Sequence, residues 1–170
     1  MSQHSKEWLT QTLRQMLVIR TFEETADKLT LRGKVPGGMH NSSGQEAVAV
    51  GSMSALAADD VIATTHRSHH HTLAKGFTAK EVMAELFTKA TGCSRGRGGS
   101  MHLFAPEIGM LGTSGIVGPC ILQAAGAGYS FKLMKTGNVG VAFFGFARHA
   151  PPIALMNRFC ISSRSAFGIS

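Results

Sequence analysis

The N-terminal part of the chain carries a hydrophobic pattern with the period of an α-helix. Between residues 6 and 32 apolar side chains return every three or four positions, which places them on one helical face. They are Leu9, Leu13, Met16, Leu17, Phe22, Ala26 and Leu29. Gly33 follows the last of them and Pro36 lies just beyond, and both residue types commonly end helices. The pattern therefore predicts a long N-terminal helix over 6–32.

The rest of the chain alternates between helical patterns and short apolar runs. Ser43 to Glu46 and Thr78 to Glu81 are both sequences of the capping-box type, which open helices. The predicted elements are a helix over 44–57, a strand over 61–66, a helix over 79–90, a mostly looped region over 92–115, a helix over 117–133 and a strand over 139–144. Strands that alternate with helices indicate an α/β fold in a single domain.

The predicted helix over 117–133 is rich in small residues, which favours a buried position. Gly126 and Gly128 would let a neighbouring helix approach closely. The strand that follows ends at Gly145, and a strand that stops at a glycine in an α/β protein commonly leads into a binding loop.

Composition and charge narrow the class of protein. A chain of 170 residues with 44% hydrophobic and 16% charged residues is typical of a globular protein with a sizeable core. The net charge is +7, but no Asp or Glu follows Glu107, so the charge reflects missing acids more than a dense basic patch. We therefore expect no nucleic-acid partner. Three cysteines without CxxC spacing, no secretory signal and no membrane-spanning run predict a cytoplasmic protein with no membrane partner.

Histidines cluster in the sequence HRSHHH, residues 66–71. One interpretation is a basic surface loop. A second is a zinc site, although no further Cys, His or carboxylate follows at a recognisable ligand spacing. A third is an anion site, because Arg and His donors at the end of a short strand suit phosphate or carboxylate groups.

Two glycine-rich segments could also bind a ligand. The segment GCSRGRGGSMHLF, residues 92–104, could be a flexible basic loop, a nucleic-acid-binding tract or a loop folded over a cofactor or partner. The segment GTSGIVG, residues 112–118, is a glycine-rich turn that leads into a helix, where backbone amides are ready donors to an anion.

The segments GQEAVAVG, HRSHHHTLAKG, ELFTKATGCSRGRGGSMHLF, LGTSGIVG and VAFFG follow one another in this order. Over residues 8–145 this run resembles the alpha subunit of thiamine-diphosphate-dependent 2-oxo acid dehydrogenases. Acetyl-transferring pyruvate dehydrogenase is favoured, followed by acetoin dehydrogenase. The resemblance implies an α/β chain with an incomplete, doubly wound thiamine-diphosphate-binding fold, preceded by the long N-terminal helix.

The resemblance also implies partners and chemistry. Two alpha and two beta subunits would form a heterotetramer with thiamine diphosphate between them, and magnesium would bridge the diphosphate. A small 2-oxo acid such as pyruvate would be oxidatively decarboxylated, and the acetyl unit would pass to a lipoyl-bearing acyltransferase. The enzyme would be an oxidoreductase acting on the oxo group of its donor. A non-catalytic fragment that serves only as an interaction module is the alternative from another class.

Individual positions match the motifs of this family. His40 and His69 match histidines near the reacting centre and are the predicted catalytic residues. The residues predicted to bind the cofactor are His66, Arg67, Gly115, Val117 and Gly145.

The sequence departs from the family after Gly145. Where the resemblance leads us to expect an Asp that binds magnesium, the chain has Phe146, so no metal ligand is predicted and magnesium binding is in doubt. We expect residues 1–145 to be the N-terminal part of the alpha-subunit domain and 146–170 to be an aberrant tail. A truncated or frame-shifted product is favoured over natural divergence, and the chain is expected to be inactive alone.

Overall fold

A computed structural model describes residues 4–145 and 158–162. The elements are α1 (Lys6–Leu31), α2 (Glu46–Met53), β1 (Val61–Thr65), α3 (His69–Lys75), α4 (Ala79–Leu86), a 3-10 turn (Pro106–Ile108), β2 (Met110–Ser114), α5 (Pro119–Met134), β3 (Gly140–Phe144) and β4 (Arg158–Ser162). The α/β prediction is confirmed, as is the long N-terminal helix. Phe146, which stands where the resemblance leads us to expect a magnesium-binding Asp, and most of the predicted tail lie outside the described residues.

The strands form one sheet in the order β2-β1-β3-β4. β1 pairs in parallel with β2 on one side and with β3 on the other, while β4 is antiparallel to β3. After β1 the chain builds β2 on one flank and then crosses over to build β3 on the opposite flank. This reversal creates a topological switch point between β1 and β3, where open α/β sheets bind ligands outside the carboxyl ends of their strands.

The core lies between the sheet and the helices α1 to α4. Phe22 and Ala26 of α1 pack in one cluster with Ile62 of β1, Leu86 of α4 and Phe143 of β3, all of them buried. Only the C-terminal half of α1 contributes to this core. The apolar pattern continues into the N-terminal half, but Leu9, Leu13 and Leu17 are 54%, 53% and 57% exposed there.

The two predicted capping boxes have different outcomes. The Thr78 hydroxyl accepts from the Glu81 amide and the Glu81 carboxylate accepts from the Thr78 amide, so this box is present. The box predicted at Ser43 is wrong. α2 begins at Glu46 without a side-chain cap, and the Glu46 carboxylate accepts instead from the Gly44 amide and from the guanidinium of Arg20.

Two predicted helices are longer than the observed ones. α2 ends at Met53 rather than near 57, and α4 ends at Leu86 rather than near 90. Beyond α4 the chain turns out of the helix at Thr88, whose φ is +55°. The strand β2 was missed, because Met110–Ser114 contains a glycine and follows a glycine-rich segment. β4 was also missed, within the region predicted as tail.

The prediction that α5 is a buried helix is wrong. Its buried residues are Cys120 and Ala124, which face the strands, whereas Leu122 and Tyr129 are 78% and 65% exposed. A Cβ atom added at Gly126 would meet no atom of the described residues within 4 Å, so no helix of that part of the chain packs closely against this glycine. The close approach is between α5 and β3, where a Cβ at Gly140 would lie 2.6 Å from the Ala124 carbonyl oxygen. None of the helices in 4–145 is long and apolar enough to cross a membrane.

Candidate functional site

The carboxyl ends of the three parallel strands meet at one edge of the sheet, which we call the carboxyl edge. Thr65, the last residue of β1, is in register with Ser114, the last residue of β2. The loops that begin there carry His66 and Arg67 after β1, the turn 115–118 after β2, and Gly145 after β3. The topology thus brings the predicted cofactor-binding positions of three separate segments to the same edge.

His66 and His40 lie together at this edge. Their ring centroids are 5.2 Å apart and the rings are nearly perpendicular, at 89°. The pKa of His66 is lowered by its partial burial and by its electrostatic interactions with His40 and with the guanidinium of Arg67, while a hydrogen bond to the backbone of Ser114 opposes this shift. The neutral form of His66 is therefore favoured, and the side chain contacts both the His40 loop and the end of β2.

Arg67 is exposed and organises the same loop. Its Nη1 donates to the carbonyl oxygen of Asn41 at 2.5 Å. The guanidinium thus anchors the loop beside His40 and provides a cation at the open edge of the sheet.

His69 occupies a fully buried polar network behind this surface. Its Nδ1 lies 3.0 and 3.2 Å from the carboxylate oxygens of Glu23 in α1, and its Nε2 lies 3.0 Å from the Ser100 hydroxyl. The Ser100 oxygen also accepts from the backbone amide of His40 at 2.9 Å. In neutral His69 the Nδ1–H donates to Glu23, so that Nε2 is the acceptor for the Ser100 hydroxyl.

The Glu23 carboxylate also holds the loop that carries His40. The Ser42 hydroxyl donates to Glu23 Oε1, and the Asn41 side chain lies 3.5 Å from the Glu23 backbone oxygen. Both predicted catalytic histidines are therefore connected through Glu23 and Ser100. His69 is held by its ring nitrogens and His40 by its backbone.

His70 and His71 belong to the core. Both are fully buried, and their ring centroids are 3.8 Å apart. His71 packs on Phe143 with a centroid distance of 4.0 Å and its Nδ1 lies 2.9 Å from the Thr64 hydroxyl. Within residues 4–145, neither ring nitrogen of His70 has a hydrogen-bond partner. Burial lowers the pKa of His70 to about 4 and that of His71 well below its usual value.

The interpretation of residues 66–71 as a basic surface loop is therefore wrong, because α3 buries His69, His70 and His71. Among residues 4–145 and 158–162, no group of three or more His, Cys, Asp or Glu side chains is arranged to hold a metal ion. The anion interpretation remains open for His66 and Arg67, which are at the carboxyl edge.

Gly115 and Val117 lie in the exposed turn between β2 and α5. Val117 is 48% exposed, and a Cβ atom at Gly115 would meet nothing within 4 Å. Gly118 has a φ of +104° and is followed by Pro119 at the first position of the helix. This turn forms an open wall of the carboxyl edge, and Gly145 is half-buried at the end of β3.

Glu23 and Ser100 were not predicted from the sequence. Glu23 lies on the buried face of α1 with Ile19, Phe22 and Ala26. An acidic residue at an apolar position of an amphipathic helix is a signal that it has a buried partner. Ser100 had no such signal, because its role depends on a contact with a residue 31 positions away.

Comparison with known proteins places the chain in a family. Residues 14–150 match the family described as the dehydrogenase E1 component. The alpha subunit of acetoin:2,6-dichlorophenolindophenol oxidoreductase from Bacillus subtilis is 47% identical over 130 residues, which cover 76% of this chain and 39% of that protein. A chloroplastic pyruvate dehydrogenase E1 component subunit alpha-3 from Arabidopsis thaliana is 43% identical over 76% of this chain and 32% of its own length.

The pyruvate dehydrogenase E1 component subunit alpha of Rhizobium meliloti is 42% identical over 85% of this chain and 41% of its own length. The chain thus spans well under half the length of these relatives. The family match covers most of the chain, and the resemblance read from its motifs agrees with it. The chain belongs to the dehydrogenase E1 component family.

Proposed function

We propose that this chain forms the diphosphate-binding part of the thiamine-diphosphate site in the alpha subunit of a pyruvate dehydrogenase E1 component. The dehydrogenase E1 family depends on thiamine diphosphate. The observation that carries the proposal is that His66, Arg67 and the turn 115–118 lie at the carboxyl edge of the sheet, with His40 packed against His66, beside the switch point between β1 and β3.

The residues at the carboxyl edge fit a diphosphate. Arg67 offers a guanidinium that is exposed at this edge, and such groups bind phosphate oxygens well. The Nδ1 atom of His40 is buried and has no hydrogen-bond partner among the described residues, so the site has a polar atom that a bound molecule would satisfy. Gly115 leaves room for a ligand to approach the backbone.

The described residues do not fit magnesium. A magnesium ion prefers carboxylate oxygens, and no Asp or Glu follows Glu107 in the sequence. The carboxylate that belongs to the site, Glu23, already accepts hydrogen bonds from His69 and Ser42. We propose a domain over 1–145 and a tail over 146–170. The tail begins at Phe146, where the family leads us to expect the metal ligand, and this residue lies outside the described part of the chain. We therefore assign no step to a metal.

The chain's own residues would bind the cofactor and orient it. Thiamine diphosphate, when bound, supplies the nucleophilic carbon and the electron sink that decarboxylation of a 2-oxo acid requires. We assign Arg67 and the neutral His66 to the diphosphate side, with Gly115, Val117 and Gly145 as walls of the site. His40 would hold or move a proton at its unpartnered Nδ1, and His69 would fix the loop of His40 through Ser100.

The proposed partners follow from the family. A beta subunit would complete the cofactor site in a heterotetramer, and a lipoyl-bearing acyltransferase would accept the acetyl unit. The cytoplasmic location stays a prediction; Cys93 and Cys120 are both free thiols. Acetoin is the second candidate substrate, favoured by the 47% identity with the acetoin oxidoreductase subunit. We propose that the chain alone is inactive.

The test is the binding of thiamine diphosphate and of thiamine to the chain purified with a pyruvate dehydrogenase beta subunit. We expect thiamine diphosphate to bind more tightly than thiamine. Arg67→Ala should reduce that preference about tenfold, the effect of losing one charge-assisted hydrogen bond. Arg14→Ala, an exposed arginine on α1, is the matched control and should change nothing. Equal binding of the two molecules, or equal effects of the two variants, would refute the proposal.

A further inference from the structure

The carboxylate of Glu85 is buried under a glycine-rich loop, which we call the glycine loop (residues 92–100). Glu85 is in the last turn of α4 and its side chain is fully buried. Among the described residues no Lys, Arg or His forms an ion pair with it. A buried carboxylate without a cation must be satisfied by other donors.

The donors are four backbone amides of the glycine loop. The amides of Ser94 and Gly96 both donate to Oε2 at 2.8 Å. The amides of Gly98 and Gly99 donate to Oε1 at 2.7 and 3.2 Å. The loop is thus wound around the carboxylate as a nest of N–H groups, the arrangement in which backbone binds anions.

The glycines of the loop are required by this winding. A Cβ atom at Gly92 would lie 2.4 Å from Glu85 Oε2, and one at Gly96 would lie 2.5 Å from the backbone of Thr88. At Gly98 a Cβ would lie 1.9 Å from the His102 carbonyl oxygen. The composition that suggested a flexible loop or a nucleic-acid tract therefore serves a tightly packed turn around an internal anion.

The winding ends next to the functional site. Gly99, the last residue held by Glu85, precedes Ser100, whose hydroxyl contacts Nε2 of His69 and accepts from the His40 amide. We propose that Glu85 is a positioning residue for this site: the glycine loop that it holds presents Ser100 to His69 and His40. That this positioning serves catalysis rests on the proposed function.

The reactivity of one thiol in the glycine loop, that of Cys93, reports whether the loop is ordered. Cys93 is half-buried, and burial, together with the charge of Glu85, raises its pKa to about 11. An intact loop therefore keeps this thiol protonated and slow to react. Peptide mapping after alkylation separates Cys93 from the other two cysteines.

The main test is Glu85→Gln in the full chain. A glutamine has one accepting oxygen, so in either orientation two of the four loop amides face an NH2 group. We expect alkylation of Cys93 to rise about tenfold or more, because the loop opens when buried hydrogen bonds to a charged group are lost and because removing the charge of Glu85 also lowers the pKa of the thiol. In 1H–15N spectra of the histidine rings, the Nε2 resonance of His69 should move toward its position in Ser100→Ala.

Two further variants separate the winding of the glycine loop around Glu85 from the contact of Ser100 with His69. Ser100→Ala should shift the His69 resonance and leave Cys93 protected, because the loop still binds Glu85. Glu81→Gln, one turn earlier on α4 and exposed to solvent in part, is the matched control and should change neither readout, since Gln also completes a capping box. The proposal is overturned if Glu85→Gln exposes Cys93 and speeds deuterium exchange of the loop amides while the His69 resonance stays at its wild-type position.

The test of Glu85 as a positioning residue does not depend on the folding of Glu85→Gln alone. If Glu85→Gln does not fold, Gly98→Ala disturbs the loop from its other side and should move the His69 resonance in the same direction. In the wild-type chain, the amides of Ser94, Gly96 and Gly98 should exchange with deuterium slowly, and fast exchange would overturn the proposal. All these readouts use the chain without cofactor, so their failure is distinct from failure of the thiamine diphosphate test.

Discussion

Replacing His70 by leucine should make the protein markedly less sensitive to acid. The folded chain buries the His70 imidazole completely, and neither ring nitrogen has a partner in the part of the chain that the structure describes, so the folded state favours the neutral ring. Burial lowers its pKa to about 4, while the carboxylates of Glu23 and Glu46 oppose this shift and the electrostatic interaction with His69 adds to it. In the unfolded chain the imidazole protonates near its ordinary pKa of about 6.5.

The sign and size of the change in unfolding free energy with pH follow from these two pKa values. Because the folded-state pKa is the lower one, the stabilisation is present above pH 6.5 and is lost as the pH falls toward about 4. Between pH 7.5 and 5.0 the loss from His70 is about 2 kcal/mol, since each pKa unit is worth about 1.4 kcal/mol. His71 contributes in the same direction and remains in the variant.

The measurement is urea unfolding followed by circular dichroism at pH 7.5 and pH 5.0. We expect His70→Leu to shrink the difference in unfolding free energy between the two pH values by about 2 kcal/mol. The variant should cost little at pH 7.5, because leucine is similar in size and leaves no unpaired ring nitrogen. His102→Leu, at an exposed histidine, is the control and should keep the wild-type difference. An unchanged pH difference in His70→Leu would refute the reasoning.

Further predictions concern the ion pair and the packing of α5. Arg20→Ala should lower the urea midpoint slightly at pH 7 and have a smaller effect near pH 2. Burial raises the pKa of Glu46, but hydrogen bonds from Arg20 and Gly44 hold it at about 2, below its ordinary 4.5. The stabilisation by the pair is therefore complete above the ordinary pKa and is lost as the pH falls through about 2. Gly126→Ala should raise stability by about 0.5–1 kcal/mol in thermal melts, since the position is an open helical site. Gly140→Ala should cost about 1–3 kcal/mol, because its Cβ would crowd α5, and an equal response of the two glycines would contradict the packing.

Several elements could be predicted because their causes are local. α4 begins where Thr78 and Glu81 form a capping box, and that box needs only residues three positions apart. The strands β1 and β3 were visible as short β-rich runs that end at polar residues or glycine. β2 was not visible, because its few apolar residues are interrupted by Gly112.

The sequence predicted which residues are buried less well than it predicted the helices and strands. The leucines Leu9, Leu13 and Leu17 have the same spacing as Phe22 and Ala26, and yet they are exposed. Periodicity identifies the apolar face of a helix, but it does not say how far along the helix the rest of the protein extends. α5 shows the same limit, because its composition suited a buried helix although mainly Cys120 and Ala124 face the sheet.

The sequence by itself determined the α/β pattern, the long first helix and the family, since periodicity, capping and motif order are all readable along the chain. Only the tertiary structure decided which polar groups act together. Glu23 and His69 are 46 positions apart, and Ser100 is 31 positions beyond His69. The nest around Glu85 likewise depends on how the glycine loop folds back over α4. Buried polar groups need partners with exact geometry, and those partners come from whichever segments the sheet and helices bring together.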